Sequence, residues 1–415
     1  MIKKLKVLWF TNTPSLYKNE KVGYNGGGWI SALEQIVSNE INIKLAVSFF
    51  HSDDCFKIKK KETVYYPISL YKSKLSKVMH NLFYHKYDKI EIDYYLRVVK
   101  DFQPDVIHVF GTEKSFGLIT RFTNIPVVIH LQGILNPYLN AYFAPGSNTS
   151  QIVINNLLRP KIVFGVLKSL SFFKYNAKRE IEILTNSHYF MGRTDWDKNI
   201  SKLYSPNSIY FYCSEVLREI FYESPSYKFL NKNKVILVST ISKTSYKGFD
   251  LILKTAKLLK ELTNFIFEWK VFGINEYKDW ELILGINAND VNVKLMGVVY
   301  SSELVKNLLD ADIYIHTSYI DNSPNSVCEA QLIGIPIIST DVGGISSLIS
   351  DGISGYLVPS NDPFTLVSKI LEISNNPETA QIVGKQGKIV ASERHNKETI
   401  KKDLFNCYLK MIDAK

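Results

Sequence analysis

Ile313-Tyr314-Ile315-His316-Thr317-Ser318-Tyr319-Ile320-Asp321-Asn322-Ser323-Pro324-Asn325-Ser326-Val327-Cys328-Glu329-Ala330 reads as a short buried strand, a polar loop and the opening of a helix that stops at Gly334. The apolar run does not alternate with polar residues, which suits a parallel strand covered on both faces. Outward from it, the same unit recurs. Strands are expected at 6–11, 43–49, 105–110, 126–131 and 182–185 in the first half. In the second half they are expected at 234–240, 268–272, 292–296, 313–316, 336–339 and 356–358. Helical periods separate them, so the predicted fold class is α/β, with two Rossmann-like doubly wound domains. The pattern breaks at Glu223-Ser224-Pro225-Ser226, and Lys234-Val235-Ile236-Leu237-Val238 starts a fresh first strand. The expected domains are therefore 1–222 and 223–395, with a C-terminal helix at 396–415 crossing back to the first.

A chain of 415 residues is long for one hydrophobic core and comfortable for two domains. No apolar run approaches the ~18 residues a membrane-spanning helix requires. The start, Met1-Ile2-Lys3-Lys4-Leu5-Lys6-Val7-Leu8-Trp9-Phe10, has lysines before a short apolar run but lacks a small-residue cleavage site. It reads as a first strand, and a cytoplasmic protein is expected. Cys55, Cys213, Cys328 and Cys407 stand too far apart for a zinc or disulfide pattern. The net charge of +10 comes mostly from lysine. It suits attraction to anionic lipid or phosphorylated substrates, and equally a solvated lysine-rich surface. No nucleic-acid motif accompanies it, and no nucleic-acid partner is expected.

The loop before the 325–333 helix carries the chemistry. Pro324-Asn325-Ser326 at the first turn offers backbone N–H groups and the positive end of the helix dipole, so an anion is expected there. Asp321 before the turn and Glu329 inside the helix would flank that anion and grip hydroxyls on either side. A nucleotide-sugar has this layout: diphosphate in the middle, ribose one way, hexose the other.

These residues resemble retaining glycosyltransferase family four. An acidic residue, seven others and Glu, then Ala-x-x-x-Gly-x-Pro-x-x-x-Ser, is met by Asp321, Glu329, Ala330, Gly334, Pro336 and Ser339. Asp341-Val342-Gly343-Gly344 and Asp351 through Pro359 continue it. The resemblance implies the two-domain GT-B fold, its domains facing a cleft. It implies that Glu329 holds the ribose and Asp321, where the family more often has Glu, the donor hexose. Ser239 through Asp250 resembles the family's Gly-Arg…Lys-Gly loop. Lys247 then neutralises the leaving diphosphate, Thr240 stands where the arginine is usual, and Lys243 is a candidate substitute. Ser323, Pro324, Asn325, Ser326 and Val327 would line the donor.

Gly26-Gly27-Gly28-Trp29 follows the first strand; its glycines either approach a phosphate or make a tight turn. They resemble the family's N-terminal glycine loop, and they are not the spaced Gly-x-Gly-x-x-Gly of NAD enzymes. His130 ends a strand where ligands collect in parallel sheets. By resemblance it lies near the reacting sugar; a core histidine is the other reading. Arg179-Glu180, Gly192 through Asp197 and Cys213 through Arg218 look like polysaccharide-building members. Glu215 and Arg218 are spaced for a local pair and receive no role.

The implied reaction moves a hexosyl unit from a nucleotide-diphosphate sugar, UDP favoured, to a hydroxyl of a glycan or lipid-linked glycan acceptor. The anomeric configuration is retained, with no metal and no cofactor. Asp310-Ala311-Asp312 has a metal-binding spacing, yet capping and solvation explain it at a helix end. Residues 157–175 interleave aromatics with lysines, which suits peripheral contact with an anionic inner membrane or an acceptor-lid helix. A nucleotide-sugar epimerase of the same architecture and a non-catalytic sugar-binding relative are the alternatives.

Overall fold

The computed structural model describes residues 4–17, 28–52, 55–70, 87–155, 160–229 and 233–414. The chain divides into two compact units: residues 1–136, 171–216 and 395–415 form the first, and 137–170 with 217–394 the second.

The first unit is built on an eight-stranded sheet in the order β3-β4-β2-β1-β5-β6-β7-β8. The strands are β1 Leu5–Phe10, β2 Ile43–Phe50, β3 Ile58–Lys60, β4 Thr63–Ile68, β5 Val106–Phe110, β6 Val127–His130, β7 Tyr189–Gly192 and β8 Ile209–Tyr212. Among the described strands only β3 with β4 pairs antiparallel. The parallel strands are buried on both faces; Val7, Trp9, Val106 and Val128 serve one core and Leu8, Phe10, Ile107 and Ile129 the other. That double burial is why β1 and β5 read as continuous apolar runs. The strand expected at 182–185 is instead the last turn of helix Pro160–Thr185. Ile183 and Leu184 there face the core at helical spacing from Glu180, and the pairing strand comes later, at β7.

The last helix, Lys397–Asp413, lies within the first unit, burying Ile400, Leu404, Cys407, Tyr408 and Met411 beside Trp9 and Val106. Residues 137–170, expected with the first domain, group with the second unit; Ala144 packs in its core with Leu237 and Phe249. On helix Pro160–Thr185 the side chains of Phe164, Leu167 and Phe172 are exposed. No helix among the described residues is long and apolar enough to cross a membrane.

The second unit has six parallel strands in the order β11-β10-β9-β12-β13-β14. These are β9 Val235–Thr240, β10 Phe267–Phe272, β11 Val293–Gly297, β12 Ile313–His316, β13 Ile337–Thr340 and β14 Tyr356–Val358. Counted from its own first strand this is the order 3-2-1-4-5-6 of a doubly wound sheet. Its direction of winding reverses between β9 and β12, and in such sheets ligands bind outside the C-terminal ends of the strands at that reversal.

Candidate functional site

The loops leaving β9 and β12 carry the two groups the sequence singles out, Lys247 and Asp321. Backbone bonds lace them together: Tyr319 N–H donates to the Tyr246 carbonyl (2.7 Å), and Thr317 Oγ1 donates to that of Lys247 (3.0 Å). Gly344 N–H, from the loop after β13, donates to the Asp321 carbonyl (2.9 Å). Two glycines make this closeness possible. Gly248 has φ +72° and a Cβ there would stand 1.9 Å from the Thr317 carbonyl oxygen; Gly343, at φ +56°, would place one 1.9 Å from that of Asp321. Replacing Gly248 with alanine should destabilise the protein by about 1–3 kcal/mol, from left-handed strain alone, with the backbone clash added. The urea midpoint measures this, and an unchanged midpoint would mean the loops can slide apart freely.

Asp321 is the centre of the cluster. Its carboxylate accepts from Lys247 Nζ (2.5 Å), Tyr138 Oη (3.2 Å) and Ser318 Oγ (3.3 Å), and lies 3.2 Å from His316 Nε2. Burial alone would raise its pKa, but Lys247 and His316 outweigh burial and hold it well below the usual carboxylate range. His316 is pushed down, chiefly by burial against the pull of Asp321. Its other nitrogen, Nδ1, sits 3.0 Å from Ser339 Oγ on β13. The Tyr138 ring stands edge-on to Tyr246, centroids 5.2 Å apart. Tyr138 and His316 escaped the sequence reading. His316 ends a recognised strand five residues before Asp321, which was a usable signal, whereas nothing in the sequence ties Tyr138 to position 321.

Glu329 lies on helix Asn325–Ile333, which starts with no side-chain cap. Its carboxylate is gripped by Arg218, with Nε and Nη2 each at 2.7 Å. The Arg218 guanidinium also covers the ring of Phe221 at 4.7 Å. Burial raises the Glu329 carboxyl, and Arg218 opposes it. Arg218 thus pairs with Glu329 within the second unit, and Glu215 pairs with buried Arg193 within the first. An ionised carboxylate offers about four acceptor positions, so Arg218 leaves room for two more donors.

The remaining predicted donor residues separate by role. Asn325 and Ser326 are half-buried at the helix start, and Ser323 and Pro324 are buried before it. Val327 is fully inside the core, so its side chain serves packing. Thr240 is buried at the end of β9. Lys243 lies on the surface, 3.9 Å from Glu276, and not beside Asp321. Asp312 accepts from the Ile236 N–H (2.7 Å), a structural duty that takes one carboxylate of the Asp-x-Asp pair. No cluster of metal-ligating side chains occurs among the described residues. A cavity of about 430 Å³ lined by Val235, Asp312 and Ile313 opens at the starts of β9 and β12, the opposite end of the sheet from this cluster.

In the first unit, His130 ends β6 and is wholly buried, with Trp29 edge-on to it at 5.4 Å. Gly26 and Gly27 lie outside the described residues. Glu180 accepts from the N–H groups of Leu135 (2.8 Å) and Asn136 (2.9 Å), which makes it a helix-start cap.

Comparison with known proteins agrees with this fold. The family model "Glycosyl transferases group 1" matches residues 221–390, nearly all of the second unit's main segment. An uncharacterised glycosyltransferase of Methanocaldococcus jannaschii is 25% identical over 348 residues, 79% of this chain and 91% of that protein. The amylovoran biosynthesis glycosyltransferase AmsK of Erwinia amylovora is 27% identical over 146 residues, 33% of this chain and 35% of its own length. Among solved structures, a sucrose-phosphate synthase from Thermosynechococcus elongatus shares the fold with a TM-score of 0.74 at 13% identity, over 99% of this chain and 100% of that one. HepE of Anabaena, solved with UDP-glucose, does so at 0.64 and 12%, over 97% and 98%. With the family's pattern lying on the switch-point loops of the second sheet, residues 221–390 are similar to the group 1 glycosyl transferases.

Proposed function

We propose that the protein is a retaining, metal-independent hexosyltransferase that uses a UDP-sugar and builds a surface polysaccharide on a glycan or lipid-linked acceptor. One observation carries the reading: Lys247 and Asp321 meet at the switch point of the second sheet, one helix away from Glu329. A cation there stabilises a departing diphosphate, and the two carboxylates accept from hydroxyls on either side of it. Solvation by fixed groups of this kind lowers a barrier without any enzyme nucleophile. UDP-glucose in HepE favours the uridine donor, and the amylovoran context of AmsK favours a polysaccharide product.

Thermal unfolding with UDP, GDP and ADP, each with and without EDTA, tests the donor half. UDP should raise the midpoint most and EDTA should not reverse it. No shift with any nucleotide would overturn the reading, and loss of the UDP shift on adding EDTA would overturn metal independence. With the donor named, transfer to a simple acceptor should give a product of unchanged anomeric configuration by NMR; inversion would refute the retaining assignment.

A further inference from the structure

Four buried groups of the first unit form a chain of hydrogen bonds that ends on His130. Trp9 Nε1 donates to Tyr408 Oη (3.0 Å), Tyr408 Oη lies 2.7 Å from His108 Nδ1, and His108 Nε2 lies 3.1 Å from His130 Nδ1. The far nitrogen, His130 Nε2, has no hydrogen-bond partner among the described residues. His108 and Tyr408 are 0% exposed, and His108 stacks on Phe110 with ring planes 7° apart. Burial pushes His108 down to about 3, and burial with His108 and Arg193 nearby holds His130 well below its ordinary value. Both rings are therefore neutral, each with one N–H.

The direction of the chain follows from counting donors. Indole N–H can only donate, so Tyr408 Oη accepts from Trp9. If the Tyr408 O–H donates to His108 Nδ1, the His108 proton sits on Nε2 and is donated to His130 Nδ1. The His130 proton then sits on Nε2. Run the other way, His130 Nδ1 donates to His108 and His108 to Tyr408. The Tyr408 hydroxyl proton is then buried with no acceptor, and His130 Nε2 becomes a second unpaired atom. The forward direction leaves one group unpaired and the reverse leaves two.

We propose that Tyr408, on the C-terminal helix, is a positioning residue that acts through His108 to hold His130 as the Nε2–H tautomer, a hydrogen-bond donor to a sugar oxygen rather than a proton acceptor. Its role in transfer rests on the hexosyltransferase reading above; the tautomer itself does not. A donor here suits a hydroxyl or ring oxygen of a sugar at the C-terminal end of β6. It also means that His130 takes no proton from the acceptor hydroxyl.

The test is NMR of the full chain labelled with 15N-histidine, the His130 signals identified by their loss in His130→Gln. Wild type should show His130 and His108 protonated on Nε2. In Tyr408→Phe the two directions leave equal numbers of unpaired groups, so His130 should become a mixture of tautomers. His108→Phe keeps the stacked ring shape and should give the same mixture if Tyr408→Phe fails to fold. A wild-type His130 protonated on Nδ1, or a pure Nε2–H form persisting in a folded variant, overturns the relay. With a UDP-sugar, kcat should fall in proportion to the Nδ1–H fraction, about twofold for an even mixture, at unchanged UDP affinity. A mixture with wild-type kcat overturns its role in transfer. A wild-type protein without transferase activity removes the functional reading and leaves the tautomer result to decide the relay.

Discussion

Replacing Lys247 with methionine is expected to lower turnover with a UDP-sugar by about 10²–10³-fold, the usual cost of deleting one group that stabilises charge developing in a transition state. The same change leaves Asp321 almost fully buried with only neutral partners, Tyr138, Ser318 and His316. Breaking a buried pair from one side costs about 3 kcal/mol, so the urea midpoint at neutral pH should fall as well. The two effects separate in the double variant Lys247→Met with Asp321→Asn. It has no charge to strand and should recover most of the stability while turnover stays low. Recovery of turnover would mean that Lys247 serves the fold alone.

The pH dependence has a definite sign. Asp321 titrates well below its unfolded value, so its contribution to stability is complete above about pH 4 and is lost as pH falls further. Methionine at 247 removes most of that contribution. Wild type and variant should therefore differ most near neutrality and converge in acid. A constant gap across that range would place the ion pair's energy elsewhere.

Arg218→Ala should produce the second large effect. Glu329 is 5% exposed at its side chain, against 30% for Arg218. Removing the arginine strands the carboxylate, whereas removing the glutamate lets the arginine turn to water. The expected loss is about 3–4 kcal/mol for Arg218→Ala and clearly less for Glu329→Ala. Burial, no longer opposed, should raise the Glu329 carboxyl further. A raised folded pKa favours the folded state in acid, so this variant should gain stability relative to wild type as pH falls from 7 towards about 5. UDP binding should weaken tenfold or more, about 1.5–3 kcal/mol for a misplaced charged acceptor. Arg218→Lys should restore the charge but only part of the affinity, since an ammonium cannot match both oxygens at once. Equal unfolding losses for the two alanine variants would contradict the burial asymmetry.

The second sheet was legible in the sequence almost strand by strand. Its runs, such as Val235-Ile236-Leu237-Val238 and Ile313-Tyr314-Ile315, are buried on both faces and carry no alternation to confuse them. The first sheet was harder. β4 contains Pro67, which argues against a strand interior, and β8 is partly exposed along its whole length. The helix turn at 182–185 imitates a strand because four residues are too few to show a period. Among the candidate site residues, Lys247, Asp321 and Glu329 stand out because their local sequence resembles the family's pattern. Their partners do not: Arg218 lies 111 positions from Glu329 and Tyr138 lies 183 from Asp321. Sequence spacing shows which group is charged, and only the fold shows what holds the charge in place.

The bond from Trp9 to Tyr408 spans 399 positions. A ribosome adding about 5–20 residues per second needs on the order of 20–80 s to separate them. For all that time the first sheet waits with Trp9 and Val106 unmatched, while residues 217–394 can already close their own core. The half of the molecule made first is thus the last to finish folding. A released chain ending before residue 400 should hold a protease-resistant second unit and a first one still open to cleavage.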